Sequence, residues 1–396
     1  MNHGKEVIIA ALLSVCGLAL YVAVRVWLNT HASGPVAPIA HIIPVPVEQA
    51  TSTTSRVPNA LPSFPTAVTQ ISYGLAPVVA SSSAVFNYAH GTLVADERLF
   101  IGSEDSQTAD GHLAVFYDPA HLGAYSLISV PRRGSIETMA YDDTRRTVDF
   151  LISESHGLHI YSIDPYTLIE RSIASTSAID AGDKPAIVTD GAYVYGITNT
   201  TPAEVFKVSL RDGRLSYNAN GHIPHGHSAA LMTEGSSTFL YFGSNTSDVI
   251  EKVDAATLSV SAAVDLGTCH PSDDMPAFGG YVYVGCEGAP YGFRINGVDM
   301  SVTRFTLPGD SLGLFVYGSD LYNCGMDGYL DVFPGMNLGS LRRYKVTGIR
   351  ESSTTSALPP ELNEILYEPV SHKLFLTIWW GVPGLYEVST STGIMP

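Results

Sequence analysis

The chain has 396 residues, 45% of them apolar but only 15% charged, with 36 glycines, 24 prolines and a formal net charge of −17. That mixture excludes a long-helix protein and suits many short strands joined by tight turns. An acidic surface repels phosphate backbones, which excludes nucleic acid as a partner and leaves cations, proteins or carbohydrates as ligands.

In chain order, residues 1–6 form a short tail. Residues 7–28 then read VIIAALLSVCGLALYVAVRVWL, 22 residues with the single charge Arg25 near the far end. About 20 apolar residues cross a bilayer as a helix. Arg25 can reach the headgroups there and Trp27 suits the interface. We read this segment as a transmembrane signal anchor, with the membrane as a partner and the bulk of the chain outside the cytoplasm, at a cell surface or in a periplasm. A cleaved signal ending at Ala32 is one rival. A lipoprotein box at Cys16 is the other, although Val15 stands where a small residue is expected. Residues 29–70 carry Pro35, Pro38, Pro44, Pro46, Pro58, Pro62 and Pro65 among Ser, Thr and Ala. They read as an extended linker.

From about residue 85 a pattern recurs: a short apolar strand ending in small or polar residues. The copies are LFIGSE, DFLISE, VYGITN, LYFGSN, VYVGCE, LYNCGM and LFLTIW, starting at residues 99, 149, 194, 240, 282, 321 and 374. Each has another apolar strand before it and one or two alternating strands after it. Turn signals such as Asp190-Gly191 and Asp212-Gly213 lie between them. Seven copies at a period of roughly 40 to 50 residues define four-stranded antiparallel blades. The fold class is therefore all-β, a seven-bladed β-propeller over residues 71–396. A lone blade exposes two apolar faces, and a closed ring buries both. The seventh copy lacks an outer strand, so residues 71–80 are predicted to complete the last blade.

The fourth copy carries a family resemblance. Residues 239–245 (FLYFGSN), 249–254 (VIEKVD) and Thr257-Leu258 resemble the YVTN and quinoprotein-like propellers. Glu104, Glu154 and Glu287 stand in other copies where that pattern has asparagine. The resemblance implies the fold. Similar rings serve as binding platforms, quinone enzymes and hydrolases, so it does not select an activity.

In such a ring the loops after the second and fourth strands open on one face. The first set supplies Glu104, Asp105, Glu154, His156, Asn199, Asn245, Glu287, Asp327, Trp379 and Trp380 as a candidate ligand-binding face. The second set supplies His222, His225, His227, His270, Asp273 and Asp274 as candidate ligands for a divalent metal. His225 and His227, two apart in an extended segment, point the same way and need a distant third ligand such as His156, His270 or Glu287. Cys269 precedes the fifth blade, Cys286 ends its second strand, and the two are a candidate disulfide. Cys286 with Cys324 is the rival pair, and three reduced thiols the third possibility. No phosphate-binding loop and no nucleophile elbow is present, and no catalytic residue is assigned. The expected function is a membrane-tethered platform binding a protein or carbohydrate ligand. The alternative is a metal-dependent hydrolase or a quinoprotein-like oxidoreductase working on the same face.

Overall fold

A computed structural model describes residues 43–44, 54–56, 67–75, 78–79, 89–103, 112–118, 125–129, 135–154, 157–219, 222–346, 361–368, 373–380 and 385–388. The anchor read at residues 7–28 lies outside them. Among the described residues no helix is long and apolar enough to cross a membrane.

Seven sheets form the body. Each recurring copy is the second strand of one blade: Arg98–Ser103, Thr147–Glu154, Tyr193–Ile197, Ser237–Ser244, Tyr281–Glu287, Asp320–Gly325 and Lys373–Trp380. Hairpin pairing builds every blade outward from an inner strand, such as Ala89–Ala95 in blade one or Gly226–Glu234 in blade four. Successive inner strands contact one another around the ring, and those of blades seven and one, Glu361–Glu368 and Ala89–Ala95, close it.

The glycines near the ends of the first and fourth copies have a packing reason. A Cβ on Gly102 would lie 2.7 Å from the Ile136 Cβ of the next blade, and one on Gly243 would lie 2.9 Å from the Pro271 Cβ of the next. Close approach of adjacent blades at this point leaves no room for a side chain. Between blades the apolar residues interlock. Phe100 and Val115 of blade one pack with Ile136, Phe150 and Ile152 of blade two in one buried cluster.

The chain ends meet in blade seven. Its three C-terminal strands, Glu361–Glu368, Lys373–Trp380 and Leu385–Val388, are joined by Val78–Val79, which pairs antiparallel with Glu387 and Tyr386. Within 71–80 the two halves do different things. Residues 71–75 belong to the strand Ala67–Leu75, which runs parallel to the outer strand Ser340–Val346 of blade six. Two further pieces of the proline-rich stretch also pair in parallel with outer strands: Ile43–Pro44 with Ser216 and Tyr217, and Thr54–Arg56 with Ala263 to Asp265. An outer strand offers unpaired N–H and C=O groups, and a proline is tolerated in a strand that pairs on one side only. Pieces of the chain between residues 43 and 75 therefore contribute fifth strands to blades three, four and six.

Candidate functional site

The inner strand of a blade is an edge. Its side chains alternate between the two faces that pack on neighbouring blades, and its backbone lines the axis. A β-bulge breaks that alternation and re-aims a side chain. The inner strands of blades one, two, four, six and seven each carry such a slip in register, at Gly91, Glu137, His227, Leu312 and Asn363-Glu364. Three of the slipped side chains, Glu137, His227 and Glu364, line a small axial cavity of about 110 Å³ together with His90, Lys184, Asp273 and Asp274.

Blade five contributes its two carboxylates by a larger departure. Its inner strand is split into His270–Pro271 and Ala277–Phe278. Pro271 and Pro276 bracket the gap, and neither has an N–H to donate to a ladder. Ser272 N–H still donates to Gly285 O of its own blade at 3.0 Å. Asp273 N–H instead donates to Leu312 O at 2.9 Å, and Leu314 N–H donates to Asp274 O at 3.2 Å. The HPSDDMP segment thus swings onto blade six and carries Asp273 and Asp274 to the axis.

Three groups converge there. Donor atoms of His227, Asp273 and Glu287 all lie within 4.8 Å of one another. His227 is 8% exposed. Its Nδ1 lies 2.8 Å from Asp273 Oδ1, yet the atom has no aligned hydrogen-bond partner. The imidazole and the two carboxylates crowd one point, as ligands of a single ion would. His90 approaches the same carboxylate from its other oxygen, Nδ1 to Oδ2 at 3.9 Å, and lies 4.0 Å from Glu137 Oε2.

The electrostatics follow from crowding carboxylates in a buried channel. Burial pushes Asp273 up, but the charges of His227 and Lys184 outweigh it and hold the group below the usual carboxylate range. Burial and the Glu364 and Asp273 charges push Asp274 well above that range. Burial, reinforced by Asp273, raises Glu287 to about 7. Glu364 is likewise raised to about 7 by burial, although its Oε2 accepts hydrogen bonds from Thr92 N–H, at 3.0 Å, and from the Thr92 hydroxyl. Burial drives His90 down to about 3, so its imidazole is neutral at physiological pH. The site can therefore hold a cation through three ligands while the adjacent Glu364 exchanges a proton near neutrality.

The remaining candidates from the sequence go elsewhere. His222 and His225 do not join His227. Nδ1 of His222 meets Glu251 Oε2 at 3.0 Å in the interior. His225, in a left-handed turn, meets the Thr201 hydroxyl at 2.8 Å. The half-exposed His270 faces Asp248 at 3.5 Å. Asn199 donates to Gly226 O of the blade-four inner strand at 3.1 Å, and Asp327 pairs with Arg343. Asn245 sits in the hairpin turn between Ser244 and Ser247 of blade four. Glu104, Asp105 and His156 lie outside the described residues. Glu154, Trp379 and Trp380 are described in their strand backbones only. Cys269 and Cys286 form a disulfide, and Cys324 is a buried free thiol. Sequence reasoning missed His90, Glu137, Lys184 and Glu364, which come from inner strands or their approaches rather than from the loops it searched.

Fold and site together define a seven-bladed propeller with an acidic, histidine-bearing axial centre. No protein-family model matches the chain, and no curated protein matches it by sequence. Solved structures do share the fold. A streptogramin B lyase superposes with a TM-score of 0.63 at 10% identity, over 80% of this chain and 98% of that one. The virginiamycin B lyase of Staphylococcus aureus gives 0.60 at 12%, over 80% and 99%. The Pan2 WD40 domain of Neurospora crassa gives 0.58 at 11%, over 80% and 94%. At these identities the likeness is one of fold alone, and these rings are lyase and WD40 propellers rather than members of the YVTN group.

Proposed function

We propose that this protein binds a divalent metal ion at His227, Asp273 and Glu287 and uses it to polarise a carbonyl or ester oxygen of a small molecule, as a metal-dependent hydrolase or lyase. The observation that carries this reading is the convergence of the three ligand groups on one point in the buried channel, their donor atoms all within 4.8 Å of one another. One imidazole and two carboxylates suit Zn²⁺, Mn²⁺ or Mg²⁺ rather than a soft ion. Three protein ligands leave positions for water and substrate, the arrangement of a catalytic rather than a structural metal. Two of the similar rings are lyases, which agrees with small-molecule chemistry on this scaffold without lending its substrate. The apolar run at residues 7–28 and the Cys269–Cys286 disulfide support a ring tethered to a membrane and facing an oxidising compartment.

The test is Mn²⁺ titration of the full chain, followed by electron paramagnetic resonance of the free ion. One equivalent should bind, and Glu287→Gln and His227→Ala should each weaken binding by about tenfold or more. A wild-type chain that binds no Mn²⁺ and carries no Zn²⁺ by plasma mass spectrometry refutes the reading.

A further inference from the structure

Two of the three metal ligands hang from one weakly paired piece of backbone. Asp273 lies in the gap of the blade-five inner strand, and Glu287 ends the second strand opposite it. The ladder joining the two segments on the ligand side is two residues long, with His270 opposite Glu287 and Pro271 opposite Cys286. Pro271 has no N–H, so this short ladder is deprived of a donor at the position next to the ligands. Beyond it the chain leaves the blade for blade six through Asp273 and Asp274. Main-chain pairing alone therefore holds Asp273 and Glu287 in register only weakly.

The disulfide supplies what the ladder lacks. Cys286 is the residue before Glu287, and Cys269 precedes the short strand that leads to Asp273. The bond joins the two segments within one residue of Glu287 and four of Asp273. Both cysteines are fully buried in a cluster with Leu266, Val284, Phe293 and Met275. Met275 fixes the far end of the same gap, so the segment bearing Asp273 is anchored at both ends and only its carboxylates face the channel.

Resting on the metal reading above, we infer that the Cys269–Cys286 disulfide is the positioning element of the metal site and makes its metal affinity redox-dependent. A dithiol reductant opens it by exchange. The reductant's two S–H groups transfer their hydrogens as the Cys269–Cys286 bond breaks, giving two cysteine thiols and an oxidised, disulfide-bonded reductant. The segment before Asp273 is then tied to the second strand only by the short ladder and the Ser272 N–H to Gly285 O hydrogen bond, and the ligands lose their common point.

The experiment compares Mn²⁺ affinity of the full chain, wild type and Cys269→Ser/Cys286→Ser, by the titration described above. The folded double variant, checked by its β circular dichroism, should bind Mn²⁺ about 10- to 100-fold more weakly, the scale on which groups supporting metal ligands act. Equal affinity in a folded double variant overturns the inference and leaves the metal reading standing, whereas no Mn²⁺ binding by wild type sinks both. Where the double variant fails to fold, wild type reduced with a phosphine, with the two freed thiols counted, takes its place. Unchanged affinity there overturns the inference equally.

Discussion

Replacing Gly102 by alanine tests the claim that blades touch too closely at the recurring copies for any side chain. The added Cβ would sit 2.6 Å from Ile136 O and 2.7 Å from Ile136 Cβ and Cγ2. Carbon atoms pack best about 3.5 to 4.0 Å apart, so the inner strand of blade two must retreat by about 1 Å. Ile136 cannot give easily, because it is fully buried among Phe100, Phe150 and Ile152. Overpacking of this kind costs about 1–3 kcal/mol. The alanine also narrows the unfolded ensemble, which offsets roughly 0.4–1 kcal/mol since Gly102 does not need a positive φ. A net loss of about 1–2 kcal/mol lowers the melting temperature by about 1–3 °C in a domain of this size. Differential scanning calorimetry reads it directly. Gly235→Ala is the control. Gly235 has φ of 62° and nothing within 4 Å of a Cβ, so its cost is backbone strain alone, about 1–2 kcal/mol. Only Gly102→Ala should also disturb the axis, because Glu137 is the next residue after Ile136. A Gly102→Ala protein that melts with wild type and keeps wild-type Mn²⁺ affinity would refute the packing argument.

Two further outcomes are expected. Burial raises the Asp149 carboxyl to about 6, despite a hydrogen bond from Ser162 and the nearby Arg145 charge. The folded state then binds more protons than the unfolded one between pH 4 and 6, so this group's contribution falls as pH rises through that window, by up to about 3 kcal/mol. Asp149→Asn should flatten that part of the stability profile in urea melts, and an unchanged slope would show that the carboxyl is not held up by burial. A chain beginning at residue 81 loses Val78–Val79 and the parallel strand Ala67–Leu75. It should melt well below one beginning at residue 42, by several kcal/mol of lost pairing and burial, and equal melting points would place the seam elsewhere.

Much of the ring was legible because the second strand of a blade is constrained on both faces. It must alternate, it must be apolar, and it must end in a small residue where the next blade presses. The copies at 99–104, 240–245 and 282–287 meet all three demands with Gly102, Gly243 and Gly285. The pieces at 43–44 and 54–56 were hidden for the converse reason, and of the strand at 67–75 only its second half read as a strand, assigned to blade seven rather than blade six. A parallel strand on an outer edge is paired on one side only, so its sequence keeps the prolines and polar residues of a linker. The disulfide was narrowed to alternatives by spacing, but the choice between Cys269 and Cys324 as partner of Cys286 required the split inner strand.

The site was harder to read because it exists by violating the periodicity that reveals the fold. An inner strand that alternated faithfully would send every side chain into the interfaces between blades and leave the axis lined by backbone. Glu137, His227 and Glu364 reach the cavity because each sits at a slip in register, and Asp273 and Asp274 because two prolines split a strand. The same logic explains why His225 and His227, two residues apart, part company. The bulge lies at His227, between Gly226 and Ser228, while His225 stays in the left-handed turn before the strand begins. A polar residue at an interface position of an inner strand would be a costly buried group, and a slip there turns it toward the channel. An acidic or histidine residue amid an otherwise apolar inner strand, as at Glu137 in SIETMAYD or Glu364 in ELNEILYE, is therefore the mark by which an axial site can be found in a propeller sequence.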